Sequence, residues 1–157
     1  MVKKDVKAVQ SLLTEYLSKF DLSFQFNKDE VAHFFLPRDN VIYSYVVVDK
    51  DTNEITDFIS YYSLPSTIIG DEKYKTLFAA FCYYMVPKKH TMMEIMKAAL
   101  ILARNDKFDV FNALDIMDNK PVFEELHFGV GNGNLYYYLY NWSLKKLPST
   151  SIGTVLV

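Results

Sequence analysis

Three histidines (His33, His90, His127), one cysteine (Cys82) and two acidic pairs (Asp29-Glu30, Glu124-Glu125) are the residues that would ordinarily carry proton transfer, nucleophilic attack or metal ligation in this 157-residue sequence. Their spacing gives them little to do together. No two histidines stand at metal-ligand spacing, and none accompanies a serine or cysteine nucleophile motif. Cys82 lies between Phe81 and Tyr83 and reads as a small buried hydrophobe. The acidic pairs read as solvated helix surface. The run Gly129-Val130-Gly131-Asn132-Gly133-Asn134 lacks the third glycine of a dinucleotide fingerprint and precedes a strand pattern rather than a helix. It reads as a tight turn needing positive φ. Neither a metal nor a tightly bound cofactor is expected.

Two other features carry more. Tyr136-Tyr137-Tyr138-Leu139-Tyr140 reads as a strand with aromatic side chains on both faces, so both faces need cover. One face belongs to the core; the other is either core as well or the wall of an aromatic groove with Phe58, Tyr61, Tyr62 and Phe81. The sequence also stops at Leu156-Val157, an apolar pair without a polar tail. If that pair is buried, the free α-carboxylate goes with it and needs a fixed partner; the alternative is a frayed end in solvent.

The elements that must position these residues follow from periodicity. Val6, Val9, Leu12, Leu13, Tyr16, Leu17 and Phe20 line one side of a helix over residues 5–20, with Asp5 as N-cap. Asn27 and Glu30 form a capping box for a short helix that Pro37 stops. Residues 41–48 and 55–64 predict an antiparallel hairpin. Residues 71–81 are ambiguous between helix and strand, and 80–86 favour strand. Thr91 and Glu94 form a second capping box, opening a helix to about Asn105. Residues 109–114 read as a short buried strand, 119–126 as a helix with Pro121 in its first turn, 135–140 and 152–157 as strands. The fold class is α+β (α/β), a single domain over residues 1–157 on a mixed sheet.

Composition narrows function further. Half the residues are apolar, 23% are charged and the net charge is −2, which argues against an electrostatic nucleic-acid binder. A lone cysteine excludes an internal disulfide and fits a reducing compartment, with a cytoplasmic location as the default. No stretch approaches the length of a membrane span or has the plan of a signal peptide. The aromatic share, 16% with 12 Phe and 12 Tyr, exceeds what one small core needs.

Four strings, residues 56–67 (TDFISYYSLPST), 108–115 (FDVFNALD), 128–135 (FGVGNGNL) and 137–142 (YYLYNW), followed by the apolar end, occur in an order and spacing that resembles the carboxy-terminal half of the eukaryotic glycylpeptide N-myristoyltransferases. The opening helix and residues 27–37 fit the same pattern, so the resemblance covers essentially the whole chain. It implies an acetyltransferase-like (GNAT-type) lobe, with a mixed, mostly antiparallel sheet flanked by helices. It implies transfer of myristate from myristoyl-CoA, a co-substrate bound mainly by a separate amino-terminal lobe, to the N-terminal glycine of proteins, with no metal or covalent enzyme intermediate. This lobe would hold the peptide, and its terminal α-carboxylate, on Val157, would act as general base.

By the same resemblance, Asn112 would hold the amine, Leu114 and Leu156 would line the groove, Tyr62, Ser66 and Phe81 would line the peptide path, and Asn132-Gly133 would lie over later substrate residues. Asn132 stands where the family usually has aspartate, which puts a preference for downstream lysine in doubt, and Phe81 stands where tyrosine is common, removing a hydroxyl. No segment resembles the acyl-CoA site, so the chain is expected to be inactive alone and to expose an apolar face that pairs with its amino-terminal lobe or self-associates. A stand-alone peptide-binding module, or a lobe that pairs with a separate partner chain, is the competing expectation.

Overall fold

The computed structural model describes residues 1–156. The elements in chain order are α1 (Val6–Leu17), β1 (Leu22–Ser23), α2 (Lys28–Phe35), β2 (Ile42–Val48), β3 (Ile55–Ser63), β4 (Ser66–Thr67), β5 (Thr76–Leu77), β6 (Ala79–Val86), α3 (Met92–Asn105), β7 (Val110–Asn112) and β8 (Ile152–Gly153), with 3₁₀ turns at Lys3–Asp5, Lys120–Val122 and Ser149–Ser151. The main sheet has the order β2-β3-β6-β7; its first two pairings are antiparallel, and β7 joins parallel to β6 after the α3 crossover. No described helix is long and apolar enough to cross a membrane.

Helices cover both faces of this sheet, as their amphipathic patterns require. Val9, Leu13 and Leu17 of α1 and Val31 and Phe35 of α2 join Phe58, Tyr83, Tyr84 and Val86 in one buried cluster. Ile95, Met96, Ala99 and Ala103 of α3 pack with Ile59, Tyr61, Ala80, Cys82 and Met85 on the opposite face. Both capping boxes form: the Asn27 side chain accepts from Asp29 N and Glu30 N while Glu30 accepts from Asn27 N, and Thr91 and Glu94 exchange the equivalent bonds.

One irregularity shapes the site. Tyr61 pairs with Cys82 but Ile59 with Met85, so Tyr83 and Tyr84 together oppose Ser60. This β-bulge is closed by the Ser60 hydroxyl, which donates to Tyr84 O (2.9 Å) and accepts from Tyr84 N (3.0 Å). Two consecutive tyrosines therefore reach the same cluster, which strict alternation would forbid.

Several sequence expectations change. The buried strand expected over residues 109–114 shrinks to β7, with Val110 and Asn112 exposed. Residues 135–140 form no strand; no described neighbour pairs with them, and Tyr136, Tyr138 and Tyr140 are 70%, 87% and 93% exposed rather than covered. Residues 119–126 make only the 3₁₀ turn and further turns, closed by Phe128 N bonding Phe123 O at 2.9 Å after His127 enters the left-handed region at φ 58°. The expected terminal strand shrinks to β8, parallel to β1 through Leu22↔Ile152. None of Gly129, Gly131 and Gly133 has positive φ; the one described glycine that does is Gly70, at 85°, between β4 and β5. Asp5 sits at the N-cap of α1, yet its carboxylate turns back to accept from Val2 N at 2.7 Å, and α1 ends at Leu17 rather than Phe20. Residues 71–81 resolve into the end of the β4–β5 hairpin and the start of β6.

Candidate functional site

Three of the nominated residues, far apart in sequence, meet in one row of the sheet. Tyr62 on β3 is the register partner of Phe81 on β6, and Phe81 is the partner of Asn112 on β7. The Tyr62 and Phe81 rings stack, with centroids 5.4 Å apart and planes 20° apart. Tyr83, two residues beyond Phe81, meets Tyr62 edge-on at 5.8 Å. Both nominated aromatics are half-buried and Asn112 is exposed. β7 ends at Asn112 whereas β6 continues to Val86, so the two strands part company at this row. Leu114, Ile116 and Met117 then turn toward the first core cluster, with Leu114 O held by the Asn119 side chain at 3.1 Å.

The end of the chain comes back to the same place. Ile152 and Val155 are buried among Tyr83, Tyr84, Ile116 and Met117. Gly153 is needed there, because a Cβ at that position would stand 2.8 Å from the Phe20 ring. Two phenols pin the backbone: Val155 N donates to the Tyr84 hydroxyl at 3.1 Å, and the Tyr137 hydroxyl donates to Thr154 O at 2.7 Å. Burial raises the pKa of both phenols, so both stay neutral at physiological pH. Leu156 emerges and is 58% exposed, so at this residue the solvent-exposed alternative holds. It edges an apolar cavity of about 280 Å³ with Phe24, Phe26, Phe34 and Tyr83. Burial pushes the Tyr83 hydroxyl up to about 12. Val157, the nominated base, lies outside the described residues.

The other nominated residues stand apart from the row. Ser66 is exposed on β4, and Asn132 and Gly133 lie in an exposed loop. Cys82 is buried with its thiol pushed up to about 12 by burial, so it is a neutral, packed side chain. Among the described residues no group of His, Cys, Asp or Glu is arranged to hold a metal ion.

A second polar constellation escaped the sequence because its members are 33 residues apart. Asp57 is fully buried. Its Oδ1 accepts from Lys88 N, Lys89 N and His90 N, each at 2.9 Å, and its Oδ2 meets His90 Nδ1 at 2.8 Å and Thr56 Oγ1 at 2.7 Å. Burial alone would raise this carboxyl; the hydrogen bonds, led by His90, outweigh it and hold the pKa at about 2. The amides just before a helix are where a phosphate would otherwise bind. Here the protein's own carboxylate takes the amides of residues 88–90, so these three are not free to hold a phosphate.

The family model described as Myristoyl-CoA:protein N-myristoyltransferase, C-terminal domain, matches residues 1–154. The chain belongs to that family. Glycylpeptide N-tetradecanoyltransferase of Plasmodium falciparum is 46% identical over 157 residues, all of this chain and 38% of that protein. Glycylpeptide N-tetradecanoyltransferase 1 of Arabidopsis thaliana is 46% identical over 158 residues, covering 100% of this chain and 36% of the relative. The chain thus spans well under half the length of these N-myristoyltransferases. A crystal structure of Saccharomyces cerevisiae N-myristoyltransferase with bound myristoyl-CoA superposes with a TM-score of 0.73 at 36% identity, over 85% of this chain and 37% of that one. A crystal structure of a predicted acetyltransferase with acetyl-CoA from Clostridium acetobutylicum superposes at TM-score 0.66 with 12% identity, over 88% of this chain and 92% of its own. That likeness bears out the acetyltransferase-like, mixed α/β fold expected from the sequence.

Proposed function

We propose that this chain is the peptide-recognition lobe of an N-myristoyltransferase, acting on the N-terminal glycine of proteins in the cytosol. The observation that supports it best is the register row Tyr62–Phe81–Asn112 at the point where β6 and β7 part, beside a chain end pinned by Tyr84 and Tyr137. A chain lying across that row would meet stacked aromatic faces from Tyr62 and Phe81 and a side-chain amide from Asn112. The Asn112 carbonyl oxygen accepts one N–H of the substrate amine and fixes its approach.

The reaction needs a free amine. An α-ammonium has a pKa of about 7.7 to 8.0, so most of it is protonated at neutral pH, and an unperturbed terminal carboxylate near about 3.5 is a weak acceptor for its proton. Desolvation raises the carboxylate and lowers the ammonium, bringing them toward a match. Burial of Ile152 to Val155 anchors a tail from which the Val157 carboxylate reaches the amine without any side-chain rotamer to hold. It takes the ammonium proton; the amine then attacks the thioester carbonyl of myristoyl-CoA, forming an amide and releasing the CoA thiol. Myristoyl-CoA is held by the part of the enzyme beyond these residues, in keeping with the α3 entry loop being filled by Asp57. Without that part the lobe binds peptide but does not transfer acyl groups.

Titrating the purified lobe with a glycine-initiated octapeptide by calorimetry, against the same peptide acetylated at its amine, tests this reading. Binding of the free-amine peptide that weakens on Asn112→Ala supports it; equal affinity for both peptides would sink it.

A further inference from the structure

Tyr62 faces the groove row, and Tyr61, its neighbour in the chain, faces the other side of the sheet, as alternation along β3 requires. There Tyr61 is completely buried. It touches three of the residues that carry the chain from α3 into β7. Its hydroxyl donates to Asp106 Oδ2 at 2.5 Å. Its ring meets Phe108 edge-on at 6.0 Å and Phe111 at 5.8 Å. Tyr45 donates to the same Asp106 oxygen at 3.0 Å, and Tyr43 stacks on Tyr61 at 5.3 Å with planes 10° apart.

Asp106 is an odd residue for its place. It is the C-cap of α3, the negative end of the helix, where an acid is disfavoured. Two phenol hydroxyls meet it there. Lys107 then turns through φ 69°. Asp109 ties the chain to the start of β6, donating from its N to Phe78 O and accepting Phe78 N on Oδ2, both at 2.8 Å. Asn112 follows directly, at the end of a three-residue edge strand too short to fix a side chain by its own ladder.

We propose that Tyr61, assisted by Tyr45 and Asp106, is a positioning residue that sets Asn112 against the groove from behind the sheet; this rests on the reading of Asn112 as a holder of the substrate amine. The hydroxyl of Tyr61 fixes where the chain leaves α3, and its ring fixes Phe111, one residue short of Asn112. The contacts to Asp106, Phe108 and Phe111 run through this one side chain, beside the Asp109–Phe78 bonds and the β6–β7 pairing, so its loss shifts Asn112 while leaving the groove surface chemically unchanged.

The test is steady-state kinetics of the full-length enzyme with a glycine-initiated peptide at saturating myristoyl-CoA, well below the melting temperature. Tyr61→Phe keeps the ring and removes the bond, and Asp106→Ala removes the acceptor. Each should raise the peptide KM about three- to tenfold with kcat changed less than about twofold. The double variant should do no more than Asp106→Ala alone, because that substitution already cuts the Tyr61 bond along with the Tyr45 one. Asp106→Asn keeps an acceptor oxygen and should restore most of the KM. If Tyr61→Phe does not fold, Tyr45→Phe, which loses the 3.0 Å bond to Asp106 and the 3.5 Å contact from the Tyr61 hydroxyl but keeps the Tyr61–Asp106 bond, should shift KM in the same direction by less. A folded Tyr61→Phe enzyme with wild-type KM, when Asn112→Ala raises KM, overturns the positioning role alone. Wild-type KM in Asn112→Ala overturns the groove reading and the positioning role with it.

Discussion

Replacing Tyr84 and Tyr137 together with phenylalanine asks whether the last residues must be held still for the reaction to run. Tyr84 is fully buried and Val155 is 4% exposed, so Tyr84→Phe leaves the Val155 amide without its 3.1 Å acceptor in a dry site, at a cost of about 1–3 kcal/mol. Tyr137→Phe forfeits the 2.7 Å bond to Thr154 O, worth about 1 kcal/mol in its half-buried setting. About 2–4 kcal/mol therefore leaves the docking of the tail. Burial of Ile152 and Val155, roughly 1.5–3 kcal/mol each, remains. The tail should stay near its place without being fixed there. Since a catalytic group misplaced by about 1 Å costs about 100-fold, kcat of the full-length enzyme should fall by about 10- to 100-fold, with a smaller change in peptide KM. Kinetics should be paired with amide hydrogen exchange at Val155, which should speed up. Accelerated exchange with kcat within about twofold of wild type would refute the reasoning, because a mobile tail would then leave the chemistry untouched.

The Asp57 carboxyl has a folded pKa of about 2 against an ordinary 3.8, so its charged form stabilises the fold above about pH 4 and that stabilisation, about 2 kcal/mol, is lost as pH falls toward 2. Asp57→Asn should lower urea stability at pH 7 by about that amount and flatten the loss between pH 4 and 2; an unchanged acid slope contradicts the assignment. Phe81→Tyr adds a hydroxyl to a half-buried ring stacked on Tyr62, so it should leave the melting temperature alone and lower peptide KM about two- to fivefold; identical KM would mean that the peptide does not reach this ring. Thr91→Ala breaks the α3 capping box and should cost about 1 kcal/mol in urea unfolding, whereas a loss near zero would show that the α3 packing alone sets the helix start.

The helices and the main hairpin were legible because their signals are local. Asn27 with Glu30 and Thr91 with Glu94 each form the box that their three-residue spacing implies, and the apolar face of residues 6–17 is the face that α1 buries. What escaped depends on partners remote in sequence. The Tyr83-Tyr84 bulge exists because Ser60, 24 residues away, bonds both backbone groups of Tyr84, and nothing in the local pattern marks it. The Asp57–His90 loop needs an acid from one strand and amides from the next connection, so the lone histidine looked idle. Residues 135–140 carry strand-like composition, but a strand also needs a neighbour, and none of the described residues supplies one. Aromatic content already pointed to Tyr62 and Phe81 as groove walls, together with Phe58 and Tyr61, which the fold buries instead; Asn112 was reachable only through the family resemblance. Tyr62, Phe81 and Asn112 have no sequence relation to one another until the register of three strands aligns them.

The central claim, that the terminal carboxylate is the base, is tested most directly by adding a single glycine after Val157 in the full-length enzyme. The addition moves the carboxylate by about 3.5 Å along an extended backbone and changes no other residue. The account predicts that kcat falls by about 100-fold or more while peptide KM stays within a few-fold. Turnover equal to that of the unextended enzyme would contradict it.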